Sequence, residues 1–370
     1  MKRVLFDSTI FDLQIFGGVS RYFTELISRA KKNNLVTILF KLVVSNNEYA
    51  KHSNLTTIKS NLHHVKIKGF KRLSWKVNSF LNSFYTNYHL RRGDFDFYHP
   101  TYYSKKSVRY SKKHKTILTV YDMIHEKFPT LFEKADEVID IKKQLIFNSV
   151  AIIAISENTK RDILFFYPEI SENKIKVTHL ASSINEYKPQ PIVLPFNKHI
   201  VFVGNRDGYK NFLPMLKTIA PMLLSTSDLG LICVGGGEFK NDEQVAINTA
   251  GLQNKVLQKN LSDEQLKSVY TRAIALLFPS EYEGFGIPVI EAFECGCPVI
   301  LPELSSFPEI GGDAGLFYEK ENMTKITEYL EKLLTDGSYR ESIVSKSKNQ
   351  ATQFSWEKMK NETIEIYNSI

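Results

Sequence analysis

The sequence predicts an α/β protein made of two doubly wound domains, and three observations lead there. Short apolar runs alternate with amphipathic stretches along the chain, the pattern of strand and crossover helix in a parallel sheet. Two of these runs open into glycine-bearing loops that start helices, at Gly17-Gly18 and at Gly284 to Gly286. At 370 residues the chain is long for a single core, and Pro189, Pro191 and Pro195 mark a bridge near its middle.

In chain order, residues 4–6 read as a first buried strand. A helix follows over about 19–30, with Tyr22, Phe23, Leu26 and Ile27 on one face. Short β-type runs at 36–44 and 64–67 precede a basic helix at 71–92. Residues 95–100 form an aromatic strand-like run that carries His99 to its end, where ligands of open α/β sheets sit. A strand at 115–120 delivers Tyr121, Asp122 and His125 to its carboxyl end, and a helix follows at about 133–148. The strand 150–155 leads to Ser156, a cap for a helix starting at Glu157. A last strand at 175–178 completes a first domain of residues 1–185, and the linker is expected at 186–198. In the second domain, 199–355, strands are expected at 199–203, 229–234 and 256–261, with Ser262 capping the next helix. Residues 356–370 form the final helix.

The chain is organised around residues 278–300, FPSEYEGFGIPVIEAFECGCPVI. The apolar run 273–278 before them reads as a buried strand. Pro279, Gly284 and Gly286 break the chain into a loop. Pro288 suits a helix's first turn, where its missing N–H would have no partner, and Gly296 with Pro298 ends that helix. Such a loop aims N–H groups and the positive end of a helix at one place, which suits an anion. Glu283 and Glu291 are eight apart. That is too far for a side-by-side pair on one turn, but it suits two acids gripping different hydroxyls of one ligand. The stretch therefore reads as a site for a negatively charged, hydroxyl-rich ligand such as a nucleotide sugar. Arg206 and Lys210 stand at the mouth of another strand and offer a pyrophosphate one fork and one point charge. Gly17 and Gly18 add N–H groups after the first strand, but no GxGxxG follows it, which argues against a nicotinamide cofactor.

Composition sets the class. Hydrophobic content of 43% and charge of 24% are those of a soluble globular protein. No apolar run approaches the ~20 residues that span a bilayer. The opening MKRVLFDST turns polar at once, unlike a secretory signal, and the chain is expected in the cytoplasm. Cys233, Cys295 and Cys297 are too few for a disulfide framework and lack zinc spacing. Residues 1–190 hold 31 Lys/Arg against 17 Asp/Glu, whereas 191–370 hold 17 against 23. Residues 51–115 alone hold 15 basic residues and two acids, interleaved with Phe70, Trp75, Phe80, Phe84 and Tyr85. This basic, aromatic block points to peripheral contact with anionic membrane at its inner face. No nucleic-acid recognition motif accompanies it.

The E-x7-E spacing, GFG after the first Glu and PVIEA around the second resemble the family 4 retaining glycosyltransferases, whose relatives include bacterial surface-polysaccharide and lipopolysaccharide enzymes. The likeness runs through most of the chain, including GGVSRY, 204–211, Ser305 to Glu309 and Gly311 to Gly315. It implies the GT-B fold, two Rossmann-like domains facing across a cleft, with the last helix crossing back to the first. It further implies transfer of a hexose, with mannose as the candidate, with retention, from a GDP- or UDP-linked sugar to a glycan or lipid-linked acceptor. No metal or other cofactor is implied. Gly17 and Gly18 match the phosphate-facing loop, Leu261 the backbone contact to the base, and Gly284, Phe285 and Gly286 the sugar loop. Glu291 would take the ribose hydroxyls. Asp122 or His125 would serve at the sugar face, with His99 and Tyr121 on the acceptor side. In many members a His stands where Tyr121 is here. That departure raises the alternative of an inactive nucleotide-sugar or glycan-binding protein of the same fold. Asp94-Phe95-Asp96 formally matches the DxD metal motif of the other glycosyltransferase fold, but it precedes a strand-like run in a doubly wound chain.

Overall fold

A computed structural model describes residues 1–32, 35–59 and 70–370 and, outside 58, 59 and 70–77, their side chains. The strand expected at 64–67, and the side chains of Phe70 and Trp75, lie outside the described residues. The chain forms two compact units. One comprises Met1–Leu180 with Trp356–Ile370, the other Ala181–Ser355.

In the first unit, β1 (Lys2–Phe6) lies between β2 (Val36–Leu39) and β5 (Phe97–His99) in a parallel sheet. β3 (Leu42–Ser45) and β4 (Thr56–Lys59) form a separate parallel pair. A parallel bridge from Tyr98 to Thr116 leads to a second sheet of β6 (Ile117–Val120), β7 (Ala151–Ala154) and β8 (Ile175–Val177). β6 and β7 are buried at every position, because helices cover both faces of a parallel sheet. The helix Gly18–Ala30 buries Tyr22, Phe23, Leu26 and Ile27, one stripe at helical spacing. The final helix, Trp356–Ser369, packs on that helix and buries Trp356, Met359, Ile364 and Tyr367.

The second unit has one six-stranded parallel sheet, β11-β10-β9-β12-β13-β14. Its strands are β9 (Lys198–Val203), β10 (Leu229–Val234), β11 (Val256–Lys259), β12 (Leu276–Leu277), β13 (Val299–Pro302) and β14 (Gly315–Tyr318). The chain lays β9, β10 and β11 outward to one side, then crosses over and lays β12, β13 and β14 outward to the other. The strand order therefore reverses between β9 and β12. In open α/β sheets such a reversal leaves a crevice at the carboxyl ends of the two strands.

Two expectations are corrected. The strand expected at 273–278 shortens to Leu276–Leu277, although the whole run is buried apart from Ile274. The stretch 186–198, read as the linker, falls inside the second unit. Lys267 donates to the carbonyls of Asn185 and Tyr187, and the Gln190 N–H donates to the Glu264 carbonyl, so local hydrogen bonds strap it there.

Candidate functional site

The loops after β9 and β12, the two strands flanking the reversal, carry Lys210 and Glu283, and these side chains form an ion pair. Backbone ties support it. The Glu281 N–H donates to the Tyr209 carbonyl at 2.8 Å, and the Asn211 amide reaches the Pro279 carbonyl at 3.3 Å. Burial opposes the charge on Lys210, but Glu283 and the Tyr209 hydroxyl beside it outweigh that and hold the ammonium above its ordinary value.

The GFG loop is clamped from the next turn of chain. The Ser305 hydroxyl accepts from the Glu283 N–H at 3.1 Å and donates to the Glu283 carbonyl at 2.7 Å. Ser306 donates to the carbonyls of Glu283 and Phe285 at 3.0 and 2.9 Å. Phe285 is buried, with its ring edge against Phe354. Gly286 has φ +103°, a conformation that strains any L side chain, and it is the residue from which the helix Ile287–Glu294 starts. Glu291 lies inside that helix, only 5% exposed, with the Tyr270 hydroxyl 3.5 Å from its carboxylate. Burial first, and then Glu291, push the Tyr270 hydroxyl well above its ordinary value. Leu261 follows β11 at the same carboxyl edge, just before Ser262, whose hydroxyl and Gln265 form the capping box expected there.

Arg206 is a correction. It was expected to face a pyrophosphate, but its side chain is 1% exposed and already engaged. Its Nε donates to Glu243 at 3.0 Å, and its terminal nitrogens donate to the carbonyls of Gly235, Gly236, Gly237 and Glu238. Gly235, Gly236 and Gly237 all have φ near +70°, so their carbonyls can turn inward together. A Cβ on Gly236 would come within 2.7 Å of the guanidinium and 2.6 Å of the Gly204 carbonyl. Arg206 is thus the core of a glycine turn after β10. Sequence reading missed Glu243, its buried partner.

In the first unit, Gly17 is extended and Gly18 starts its helix, but the N-terminus there is not bare. The Gln14 side chain fills the place of a Gly17 side chain, and its amide oxygen accepts from the Ser20 N–H at 3.1 Å. His99 and Tyr121, expected on the acceptor side, are packing residues. His99 is wholly buried, because β5 lies between β1 and β6 and helices cover it. Its Nδ1 is 2.7 Å from the Tyr367 hydroxyl and its Nε2 is 2.9 Å from the Thr119 hydroxyl. Burial lowers its pKa to about 3. Tyr121 donates its hydroxyl to the Thr101 carbonyl and packs among Tyr22, Phe23, Tyr102 and Tyr103. Asp122 and His125 remain at the end of β6. The Asp122 carboxylate accepts from the Ile124 N–H at 3.1 Å, and the His125 ring lies tilted against Phe132, with centroids 4.5 Å apart. Asp94 and Asp96 are tied locally. Asp94 meets Arg3, His89 and Arg92, and Asp96 accepts from the Arg3 N–H at 2.7 Å.

Residues 185–350 match the family described as Glycosyl transferases group 1. The chain is 27% identical over 292 residues to the O-antigen chain mannosyltransferase B of Escherichia coli, with 74% of each chain covered. It is 29% identical over 241 residues to the capsular polysaccharide biosynthesis glycosyltransferase CapM of Staphylococcus aureus, covering 59% of this chain and 62% of that one. Its fold matches that of Anabaena HepE, crystallised with UDP and glucose, with a TM-score of 0.73 at 15% identity over the whole of both chains. No described helix is long and apolar enough to cross a membrane. The chain thus has the GT-B fold, carries a glycosyl transferases group 1 domain over residues 185–350, and is similar to bacterial surface-polysaccharide glycosyltransferases.

Proposed function

We propose that this protein transfers a hexose of the mannose type from a GDP- or UDP-linked donor to a glycan or lipid-linked acceptor, with retention and without a metal. The observation that carries this reading is the Lys210–Glu283 pair at the strand reversal of the second unit's sheet. In this reading the donor's diphosphate takes Lys210 from Glu283. The ammonium then neutralises the departing anion, work that a divalent cation does in other transferases. Glu283, once released, turns its carboxylate to the sugar hydroxyls. The loop held by Ser305 and Ser306 surrounds the sugar, and Glu291 takes the ribose hydroxyls. The acceptor oxygen bonds to the anomeric carbon on the face the diphosphate leaves, and the acceptor proton passes to the leaving diphosphate. The mannose assignment is supported by the E. coli relative's activity, and the nucleotide by UDP in HepE.

The reading extends to a membrane surface. The helix Phe70–Arg92 carries Lys and Arg but no acid, and its Phe80, Phe84 and Tyr88 are more than half exposed at i, i+4 and i+8. An aromatic ridge on a basic helix suits an anionic lipid headgroup layer and so access to a lipid-linked acceptor.

The test is incubation with a panel of GDP- and UDP-sugars, with and without lipid-linked glycan, in the presence and absence of EDTA. Acceptor-dependent release of nucleoside diphosphate that survives EDTA, with product of unchanged anomeric configuration, is expected. Donor binding without release would favour the inactive binding protein. Activity lost in EDTA and restored by Mg²⁺ or Mn²⁺ would overturn the metal-free reading.

A further inference from the structure

The end of β6 is held by a charge the proposed chemistry does not use. Lys142 lies in the helix Ala135–Asn148, on its buried stripe with Ile141, Leu145 and Ile146, and its side chain is fully buried. Its ammonium donates to the Asp122 carbonyl at 3.0 Å and to Glu126 at 2.7 Å, and it faces the Tyr103 ring at 5.5 Å. Glu126, whose side chain is 4% exposed, also accepts from the Tyr167 hydroxyl at 3.2 Å. Three segments therefore meet on one buried pair: the turn after β6, the helix Ala135–Asn148, and Tyr167 at the end of the helix Glu157–Phe166. A buried Lys–Glu pair costs desolvation that a hydrophobic pair of the same size would avoid, so it is a poor choice for stability alone. Here it fixes a turn. Asp122 is gripped at its carbonyl, and two residues further its own carboxylate starts the short helix Ile124–Lys127 that carries His125.

We infer that Lys142 is the positioning residue of the sugar-face turn: its ammonium, locked by Glu126, sets the backbone at Asp122 and the charge environment of His125. This rests on the transferase reading together with the resemblance to the family 4 glycosyltransferases, which implies that Asp122 or His125 serves at the sugar face. The charged groups facing His125 are Lys142 from the packed helix, and Asp122 and Glu126 from its own turn. Its Nδ1 is buried without a hydrogen-bond partner. Burial first, then Lys142, lower the His125 pKa from its ordinary value, and Asp122 and Glu126 oppose them. The imidazole is thereby kept neutral and able to act as an acceptor.

The experiment uses the full chain with Lys142→Met, Glu126→Gln and the double variant, read by NMR titration of His125 and by kcat and donor KM. Lys142→Met should raise the His125 pKa and Glu126→Gln should lower it. The double variant keeps no unpaired buried charge, so it remains folded if either single variant fails. It should return the pKa toward wild type yet still lose on the order of 10²-fold in kcat, because the turn has lost its tie, with donor KM little changed. A double variant with wild-type kcat would overturn the inference. So would a folded Lys142→Met with an unmoved His125. The titration needs no turnover, so failure of the transferase reading leaves it standing as a separate result.

Discussion

Lys210 and Glu283 pair across the strand reversal of the second unit, at 14% and 18% side-chain exposure. Mostly shielded, the two charges gain more from each other than surface groups do, yet both keep some exposure through which a ligand can reach them. Lys210→Ala should therefore cost ~10²–10³ in transfer rate, the scale for losing one oriented charge at a developing anion. Lys210→Arg should recover part of it. Steady-state turnover with saturating donor measures this, and near-wild-type rates in Lys210→Ala would remove the lysine from the phosphate.

Arg206 leads to a different expectation, because it is built into the glycine turn. Arg206→Ala leaves Glu243 buried and unpaired and should cost about 3–5 kcal/mol of stability. Arg206→Met with Glu243→Leu should regain much of it. Denaturant midpoints distinguish the two. A stable Arg206→Ala that loses only catalysis would return the arginine to the phosphate site.

His99 predicts a pH dependence of folding. Its folded pKa, near 3, lies below the ordinary 6.5, so the unfolded chain takes up a proton that the folded chain refuses. Stability from this group is present above pH 6.5 and is lost as pH falls toward 3. Between pH 7 and 5 the loss is about 2 kcal/mol. Asp12 works the other way. Burial raises its pKa to about 6, so over that window it stabilises the folded state as pH falls. The comparison must therefore be between wild type and His99→Gln. The variant should lose about 2 kcal/mol less over that window, measured by urea unfolding at both pH values, and equal slopes would contradict the burial argument.

Membrane contact has its own test. Lys105 pairs with Glu137 and Lys106 lies over the Tyr110 ring, so the exposed Lys112 and Lys113 are the cations to reverse. Wild type should float with anionic vesicles at low salt and less at high salt. Lys112→Glu with Lys113→Glu, and separately Phe80→Ser with Phe84→Ser, should weaken flotation. Each basic residue near such a surface contributes about 1 kcal/mol. A wild type that ignores anionic vesicles at low salt would end the membrane proposal.

Local signals in the sequence carried the elements and the loop. The apolar runs of β6, β7 and β10, the capping residues Ser156 and Ser262, and the breakers around Gly286 act within a few positions of themselves. Their outcome is therefore legible in one dimension. Lys210 and Glu283 in their loops, and Glu291 in the helix that follows, were legible as candidate charges for the same reason. Which charge already had a partner was decided only in three dimensions. Arg206 reads like Lys210 in the sequence, but Glu243, 37 residues on, takes it into the core, while Lys210 meets Glu283 at the strand reversal. His99 and Tyr121 sit where strand ends usually bind ligands, and packing from Tyr367, 268 residues away, and from Thr101 closes over them. Lys142 left one readable trace, a cation on an apolar helical stripe. Its partners, Asp122 and Glu126, are brought to it only by the docking of that helix on β6, because pairing of buried charges is a property of the folded interior.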